Sequence, residues 1–274
     1  MIVKNLSSIP FEKIIECFLL AFENYFVPMP KDHNYYQKRW KAAKVDFNFS
    51  YGMFDEEKLV GFIIHAIDKR NGTLTAFNTG TGVIPKYRDK RIVKSIYQYA
   101  LNDFELNNIK QSTLEVITKN ERAVRLYKSI GFEICKTYKC FRDTIKTNDS
   151  SIYELKEIDL KNVNWKQLPN QSFYSWDNQK ESILKGNYTF FQIINNNEPE
   201  SFFIINSEQN YVAQFDLLNN SNIGWERLFS GIKQISKTIK INNVDTRLSA
   251  KIFALNNVGL ENIIDQFEMS LKIN

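Results

Sequence analysis

The stretch LEVITKNERAVRLYKSIGF, Leu114 to Phe132, constrains this chain more than any other part of it. It opens with a short apolar run (Leu114, Val116, Ile117) that holds one acid, Glu115. Asn120 follows where a starting helix needs a side-chain acceptor for its open N–H groups. Ala123, Leu126, Tyr127 and Ile130 then recur at helical spacing, and Gly131 stands where a left-handed residue ends a helix most easily. The stretch therefore predicts strand, cap, helix, glycine stop and a new strand. It leaves two ionisable side chains, Glu115 and Tyr127, on adjacent elements.

The flanking sequence extends this pattern. Phe11, Ile14, Ile15, Phe18, Leu19 and Phe22 give a helix one apolar face before Pro28 and Pro30 stop it, and Asp32 to Val45 reads as a second helix. Tyr51–Phe54 and Leu59–Ile67 read as a hairpin around DEEK, and Leu74–Val83 as a third strand after the Asn71-Gly72 turn. Ile92 to Asn107 carries Ile92, Ile96, Tyr99, Ala100, Asp103 and Phe104 on one helical stripe. Helices, a three-strand meander, then alternating helix and strand predict a mixed α/β layer architecture.

After Phe141 the segment RDTIKTNDSS loses apolar pattern and reads as a linker, and the plan then recurs. YTFFQIINNNEPESFFIIN repeats the hairpin and YVAQFDLLNN the third strand. Trp225–Ile239 repeats the amphipathic helix and LSAKIFALNN the strand that ends in Asn. The expectation is one domain over residues 1–145 and a degenerate copy over 150–274.

The bulk properties exclude several classes of function. A length of 274 residues with 43% hydrophobic side chains suffices for two ordinary cores, so wholesale disorder is excluded. No run approaches the roughly 18 apolar residues of a membrane helix, and MIVKNLSSIP lacks the basic-then-apolar layout of a leader. Cys17, Cys135 and Cys140 form no CxxC pair, and their odd number argues against a disulfide framework. The expectation is a cytoplasmic protein without a membrane or nucleic-acid partner. A net charge of +5 is concentrated only at KYRDKRIVK, Lys86 to Lys94, which suits a small phosphorylated ligand better than a long polyanion. Two histidines and three scattered cysteines offer no metal constellation, so no metal is expected, and His65 in its apolar strand reads as structural.

Two segments together make the chain resemble the GNAT superfamily of acetyl-CoA-dependent N-acyltransferases. That family joins its fourth strand to its third helix through V-x-P-x-x-R-G-x-G-x-[GA], and this chain supplies Val83, Pro85 and Arg88. A later N-x-x-A-x-x-L/F-Y-x-x-x-G-F segment is matched in full by Asn120, Ala123, Leu126, Tyr127, Gly131 and Phe132. The departure lies in the first segment, where Asp89, Arg91 and Val93 replace the glycines that let backbone N–H groups converge on a pyrophosphate.

The resemblance implies a GNAT fold in two tandem copies, with acetyl-CoA as acyl donor. It implies that Gly82, Val83 and Ile84 meet the thioester and pantetheine through their backbone. Arg88, Asp89, Lys90, Arg91, Ile92 and Val93, with Lys86 nearby, would meet the phosphates. Asn120 and Ala123 would meet the cofactor, Tyr127 would be the acid that protonates the departing sulfur, and Glu115 the base that draws the amine proton. The acceptor amine is expected among Asn24, Tyr25, Phe26, Met29 and His33, with Asn78 and Thr79 facing them.

The second half keeps Asn256 but is read with Lys251 at the place of Glu115 and Ile263 or Asn262 at that of Tyr127. It is therefore expected to be catalytically silent, either walling the acceptor cleft or making a homodimer. Two rivals stay open: a CoA-binding regulatory module without turnover, and an acyl or aminoacyl transferase using another donor.

Overall fold

In the computed structural model, which describes every residue except Asn24, 148–150, 220–222 and Asn274, the chain forms two compact units that interleave along the sequence. One comprises Met1–Val116, Asn120–Cys135 and Glu268–Asn274, and the other comprises Ile117–Lys119 and Lys136–Phe267.

The first unit begins with β1 (Ile2–Asn5), α1 (Phe11–Ala21) and α2 (His33–Ala43). The meander β2 (Tyr51–Asp55), β3 (Lys58–Arg70) and β4 (Thr73–Val83) follows, then α3 (Ile92–Leu106), β5 (Gln111–Ile117), α4 (Glu121–Ile130) and the start of β6 (Glu133–Thr144). Neighbouring strands run β1-β2-β3-β4-β5, antiparallel up to β4 and parallel between β4 and β5. The near-continuous apolar run of β3 is explained by helices on both of its faces. On one face Phe62 stacks on Phe18 of α1 at 5.5 Å between ring centroids. On the other, His65 meets Phe104 of α3 edge-on at 5.0 Å.

The free edge of β5 is covered by the end of the chain. Gln111 Nε2 donates to Ser270 Oγ at 2.7 Å, and the Ile273 N–H to the Lys110 carbonyl at 2.9 Å. Pairing this edge with a strand removes a row of open backbone groups.

The second unit adds β7 (Glu154–Ile158), the single turn α5 (Lys180–Ile183), β8 (Thr189–Asn195), β9 (Glu198–Asn206) and β10 (Tyr211–Leu217). Then come α6 (Gly224–Ile235), β11 (Thr238–Asp245), α7 (Ser249–Asn257) and β12 (Glu261–Lys272). Here β6 runs antiparallel to β11, and β11 parallel to β10.

Two expectations for this half need correction. The amphipathic helix stops at Ile235, and 238–245 is a strand because Ile239, Ile241 and Val244 supply β-branched residues to the core. LSAKIFALNN is mostly helix, since Lys251, Ala254, Leu255 and Val258 are buried at helical spacing. Counted from the first residue before each helix, Asn120 corresponds to Leu248 and Ala123 to Lys251. On the same count Tyr127 corresponds to Leu255, Gly131 to Gly259, and Glu115 to Asn243. The earlier pairing of Lys251 with Glu115, and of residues 262–263 with Tyr127, is therefore wrong, because 261–272 is a strand.

Candidate active site

The parallel pairing of β4 and β5 carries the register Thr75↔Gln111 to Asn78↔Leu114, while β4 runs on to Val83 and β5 to Ile117. Beyond Asn78 and Leu114 the two strands thus leave a slot between them. On the β3 side, β4 bulges. Ile64 faces Gly80 and His65 faces Asn78, so Thr79 is an extra residue.

The bulge decides which side chains share a face. In a regular strand, residues three apart point to opposite faces. With Thr79 inserted, Asn78 and Thr81 both turn toward α3 and α4, whereas Gly80 and Gly82 face α1. A Cβ on Gly82 would lie 2.7 Å from that of Ala21, so this glycine is required by the close approach of α1.

On the α3 face Tyr127 is buried, with Tyr97 edge-on at 6.2 Å and Phe132 at 5.9 Å. Thr81, Asn78 and Tyr25 are the polar groups beside its phenol. Burial pushes its pKa up to about 12; the Thr81 and Asn78 bonds act against that rise and the nearby Tyr25 phenol adds to it. The rise keeps the phenol protonated but makes it a weaker acid than a free tyrosine, so any use of it as a proton donor rests on where it sits. Glu115 is half-buried on β5. Alternation along the strand sets it on the face opposite Leu114 and Asn78, the side on which α1 lies.

Asn120 has two partners. Its Oδ1 accepts from the Ala123 N–H at 3.2 Å, the helix cap read from the sequence. It is also hydrogen-bonded to Tyr25, which comes from the connection between α1 and α2. Gly131 ends α4 at φ 112°, and that position belongs to glycine for this reason.

The loop before α3 takes the glycine conformation without glycines. Asp89 has φ 68° and Arg91 φ 55°, both left-handed, and α3 begins at Ile92 without a side-chain cap. No side chain of the Arg91 cap position accepts from its first-turn N–H groups.

The side chains nearby are distributed differently from the motif-based expectation. Arg88 is committed to backbone, with Nη2 donating to the Ala21 carbonyl at 3.1 Å and Nε to Val83 at 3.3 Å. Asp89 pairs with Arg122 of α4 at 2.6 Å on the surface, and Lys90 lies over the Tyr87 ring at 4.8 Å. Ile84, Ile92 and Val93 turn their side chains into the core.

On the acceptor side, Tyr25, Phe22 and Phe26 form an edge-to-face chain with centroid distances of 4.9 and 5.3 Å. Phe26 is exposed, Thr79 Oγ1 reaches the Ile64 carbonyl at 3.4 Å, and Asn24 lies outside the described residues. Asn78 is buried against Thr81 and Tyr97, and both it and Tyr25 lie beside the Tyr127 phenol. Tyr97 was not singled out from the sequence, where Tyr99 stood on the stripe in its place. The buried set Ile92, Val93, Ile96, Tyr97, Ala100 and Phe104 is an equally good helical face, and Tyr99 is exposed.

In the second unit, Leu255 and Asn243 occupy the places of Tyr127 and Glu115. Lys251, at the place of Ala123, ion-pairs with Asp216 at 2.9 Å and donates to the Tyr174 hydroxyl at 2.9 Å. Among the described residues no group of histidine, cysteine and acidic side chains could hold a metal. No helix among them is long and apolar enough to cross a membrane.

Residues 12–132 match the acetyltransferase (GNAT) family. No curated protein matches the chain in sequence. Among solved structures, a Pyrococcus horikoshii protein assigned as an acetyltransferase is similar at TM-score 0.70 and 11% identity, over 100% of this chain and 89% of that one. A tandem GNAT protein of the clavulanic acid pathway gives 0.68 at 10% identity, over 100% and 98% of the two chains. A GCN5-related N-acetyltransferase of Sphaerobacter thermophilus gives 0.67 at 8%, over 100% and 96%.

Proposed function

From a chain that carries a GNAT acetyltransferase domain, we propose an enzyme whose first unit moves an acetyl group from acetyl-CoA to a primary amine by direct attack. The observation that carries this reading is the place of Tyr127, buried on the capped helix α4 beside the point where the pairing of β4 and β5 ends.

The residues divide the work as follows. Glu115, on the opposite face, takes the proton from the amine. The amine nitrogen then forms its bond to the acyl carbon as the C–S bond breaks, and Tyr127 gives its proton to the sulfur. The Val83 backbone N–H at the β4 end, on the edge away from β3, favours charge on the acyl oxygen. The uncapped start of α3, with the left-handed Asp89 and Arg91, receives the pyrophosphate. Tyr25, on the connection that precedes α2, lies where the acceptor enters.

The second unit is silent in this reading, since it has neither acid nor base at the equivalent places. The commitment of Arg88 to backbone carbonyls favours one rival, a module that binds CoA without turnover.

One set of measurements separates them. Purified protein should release free thiol from acetyl-CoA when offered a suitable amine. Tyr127→Phe should slow this by about 10–1,000-fold, the effect of removing a general acid. Acetyl-CoA titration should find one site per chain. Unchanged turnover in Tyr127→Phe refutes the acid. Binding without thiol release across a broad amine panel favours the module, and two sites per chain refute the silent second unit.

A further inference from the structure

Arg88 stands in the segment that resembles a phosphate loop, yet its guanidinium bonds to two backbone carbonyls. Nη2 donates to Ala21, the last residue of α1, at 3.1 Å, and Nε to Val83, the last residue of β4, at 3.3 Å. The last carbonyls of a helix have no partner within it, and α1 has no basic residue in its last turn to serve them. The Phe22 N–H returns to Phe18 and the Tyr25 N–H to Phe22, so neither takes the Ala21 oxygen. On β4, the Ile84 N–H that follows Val83 donates to Val60 of β3 at 3.0 Å. Successive residues of an antiparallel strand turn their polar groups to alternate edges, so Val83 turns its N–H and carbonyl to the edge away from β3. Arg88 takes that carbonyl, and the N–H of the same residue is the one set above against the acyl oxygen.

The same helix end is pressed onto β4 by packing. A Cβ on Gly82 would lie 2.7 Å from that of Ala21, and one on Gly80 would lie 3.0 Å from Phe18 Cε2. The two glycines let α1 approach the strand, and Arg88 ties its end there. Phe22 comes directly after α1 and starts the ring chain to Tyr25 and Phe26, at 4.9 and 5.3 Å between centroids.

We propose that Arg88 is a positioning residue: its guanidinium clamps the end of α1 to the end of β4 and so holds the acceptor-side aromatics at a fixed distance from the Val83 N–H. This rests on the reading above, in which an amine entering beside Tyr25 attacks an acyl group at the β4 end. It moves Arg88 from the phosphates, where the motif would put it, to the acceptor side.

Arginine suits such a clamp because its planar group holds several N–H donors in fixed relation, whereas the lysine ammonium is a single point. Its positive charge also lies at the negative end of the α1 dipole. Misplacing a reacting group by about 1 Å can cost about 100-fold in rate. A tie one residue before Phe22 therefore acts on the chemistry without touching the substrate. A module that only binds CoA would have no use for it.

The test is thiol-release kinetics on the full chain and its Arg88→Gln and Arg88→Lys variants. Benzylamine, spermidine, kanamycin and a short peptide serve as amines, and the one that the wild type uses best is followed. Arg88→Gln should lower kcat/KM for that amine by about 10–100-fold. Its affinity for acetyl-CoA by calorimetry should stay within about threefold, since no hydrogen bond to a phosphate is lost. Arg88→Lys should not recover the rate, because an ammonium does not reproduce the two-carbonyl fork. A phosphate contact gives the reverse pattern, with acetyl-CoA binding weaker by about 10-fold or more in Arg88→Gln and mostly restored in Arg88→Lys. That pattern overturns the proposal. So does an unchanged kcat/KM for the amine in both variants, which would leave Arg88 a tie for stability alone. If Arg88→Gln does not fold, Arg88→Lys decides by the same split between amine and acetyl-CoA. Wild-type protein that binds acetyl-CoA yet releases no thiol with any of the amines overturns the enzyme first, and this proposal with it.

Discussion

Replacing Arg91 with glycine and with alanine gives a direct measure of the strain in the loop before α3. Arg91 sits at φ 55° at the start of α3 with no side-chain hydrogen bond to hold it there. The left-handed region costs a residue with a Cβ about 1–2 kcal/mol, and glycine avoids this cost. Glycine loses about 0.4–1 kcal/mol through the greater freedom of the unfolded chain. At the middle of these ranges the glycine variant is about 0.8 kcal/mol more stable than the alanine variant. Comparing these two variants with each other, and not with arginine, cancels the loss of the charged side chain.

Gln98, exposed in the middle of the same helix, is the control. There alanine should be more stable than glycine by about 1 kcal/mol, the ordinary helix preference. Urea unfolding midpoints at constant m supply all four values. The signs at the two positions should be opposite. An alanine variant at 91 as stable as its glycine partner would refute the claim that this loop keeps a glycine conformation with non-glycine residues. The proposed seating of a pyrophosphate at this loop would lose its support at the same time.

Two further outcomes concern buried charge. His65 is fully enclosed, with Nδ1–H donating to the Phe49 carbonyl at 2.8 Å; burial lowers its pKa to about 3, and only the Phe49 bond opposes. Between that value and about 6.5 the unfolded chain binds a proton that the native state refuses. Stability therefore falls as the pH drops below 6.5, by about 1.4 kcal/mol per pH unit from this group. His65→Leu should remove one proton's worth of slope from unfolding free energies measured at pH 5, 6 and 7, and an unaltered slope would show that another group is responsible. Lys251 stays charged although burial works against it, because Tyr174 and Asp216 more than offset that cost. Lys251→Met alone should destabilise by about 3–5 kcal/mol by leaving Asp216 buried and unpaired, while Lys251→Met with Asp216→Leu should return most of it in denaturant unfolding. A double variant no better than the single one would count against this account.

The family segments were legible because each rests on local chemistry. Asn120 caps α4 and Gly131 ends it wherever the helix is placed, and helical spacing alone puts Tyr127 on the buried face. The same local logic failed in the second half, where an apolar stretch that begins LSAKIF suits strand and helix alike, and only the core decided for the helix. It also failed for α3, where the choice between Tyr97 and Tyr99 depends on which side of the helix meets β3 and β4.

What the sequence by itself determined is the order of elements in the first unit, the capped helix α4 and the kinds of side chain available for acyl transfer. The tertiary structure alone decided where they face. The bulge at Thr79 brings Asn78 and Thr81 to one face of β4, and such a bulge arises from strand register, which no local pattern records. The left-handed Asp89 and Arg91 are likewise held against their own preference by the elements on either side of the loop. The edge of β5 is closed by a strand more than 150 residues later in the chain, at Ser270. These features depend on contacts between distant parts of the chain, and those contacts exist only once it has folded.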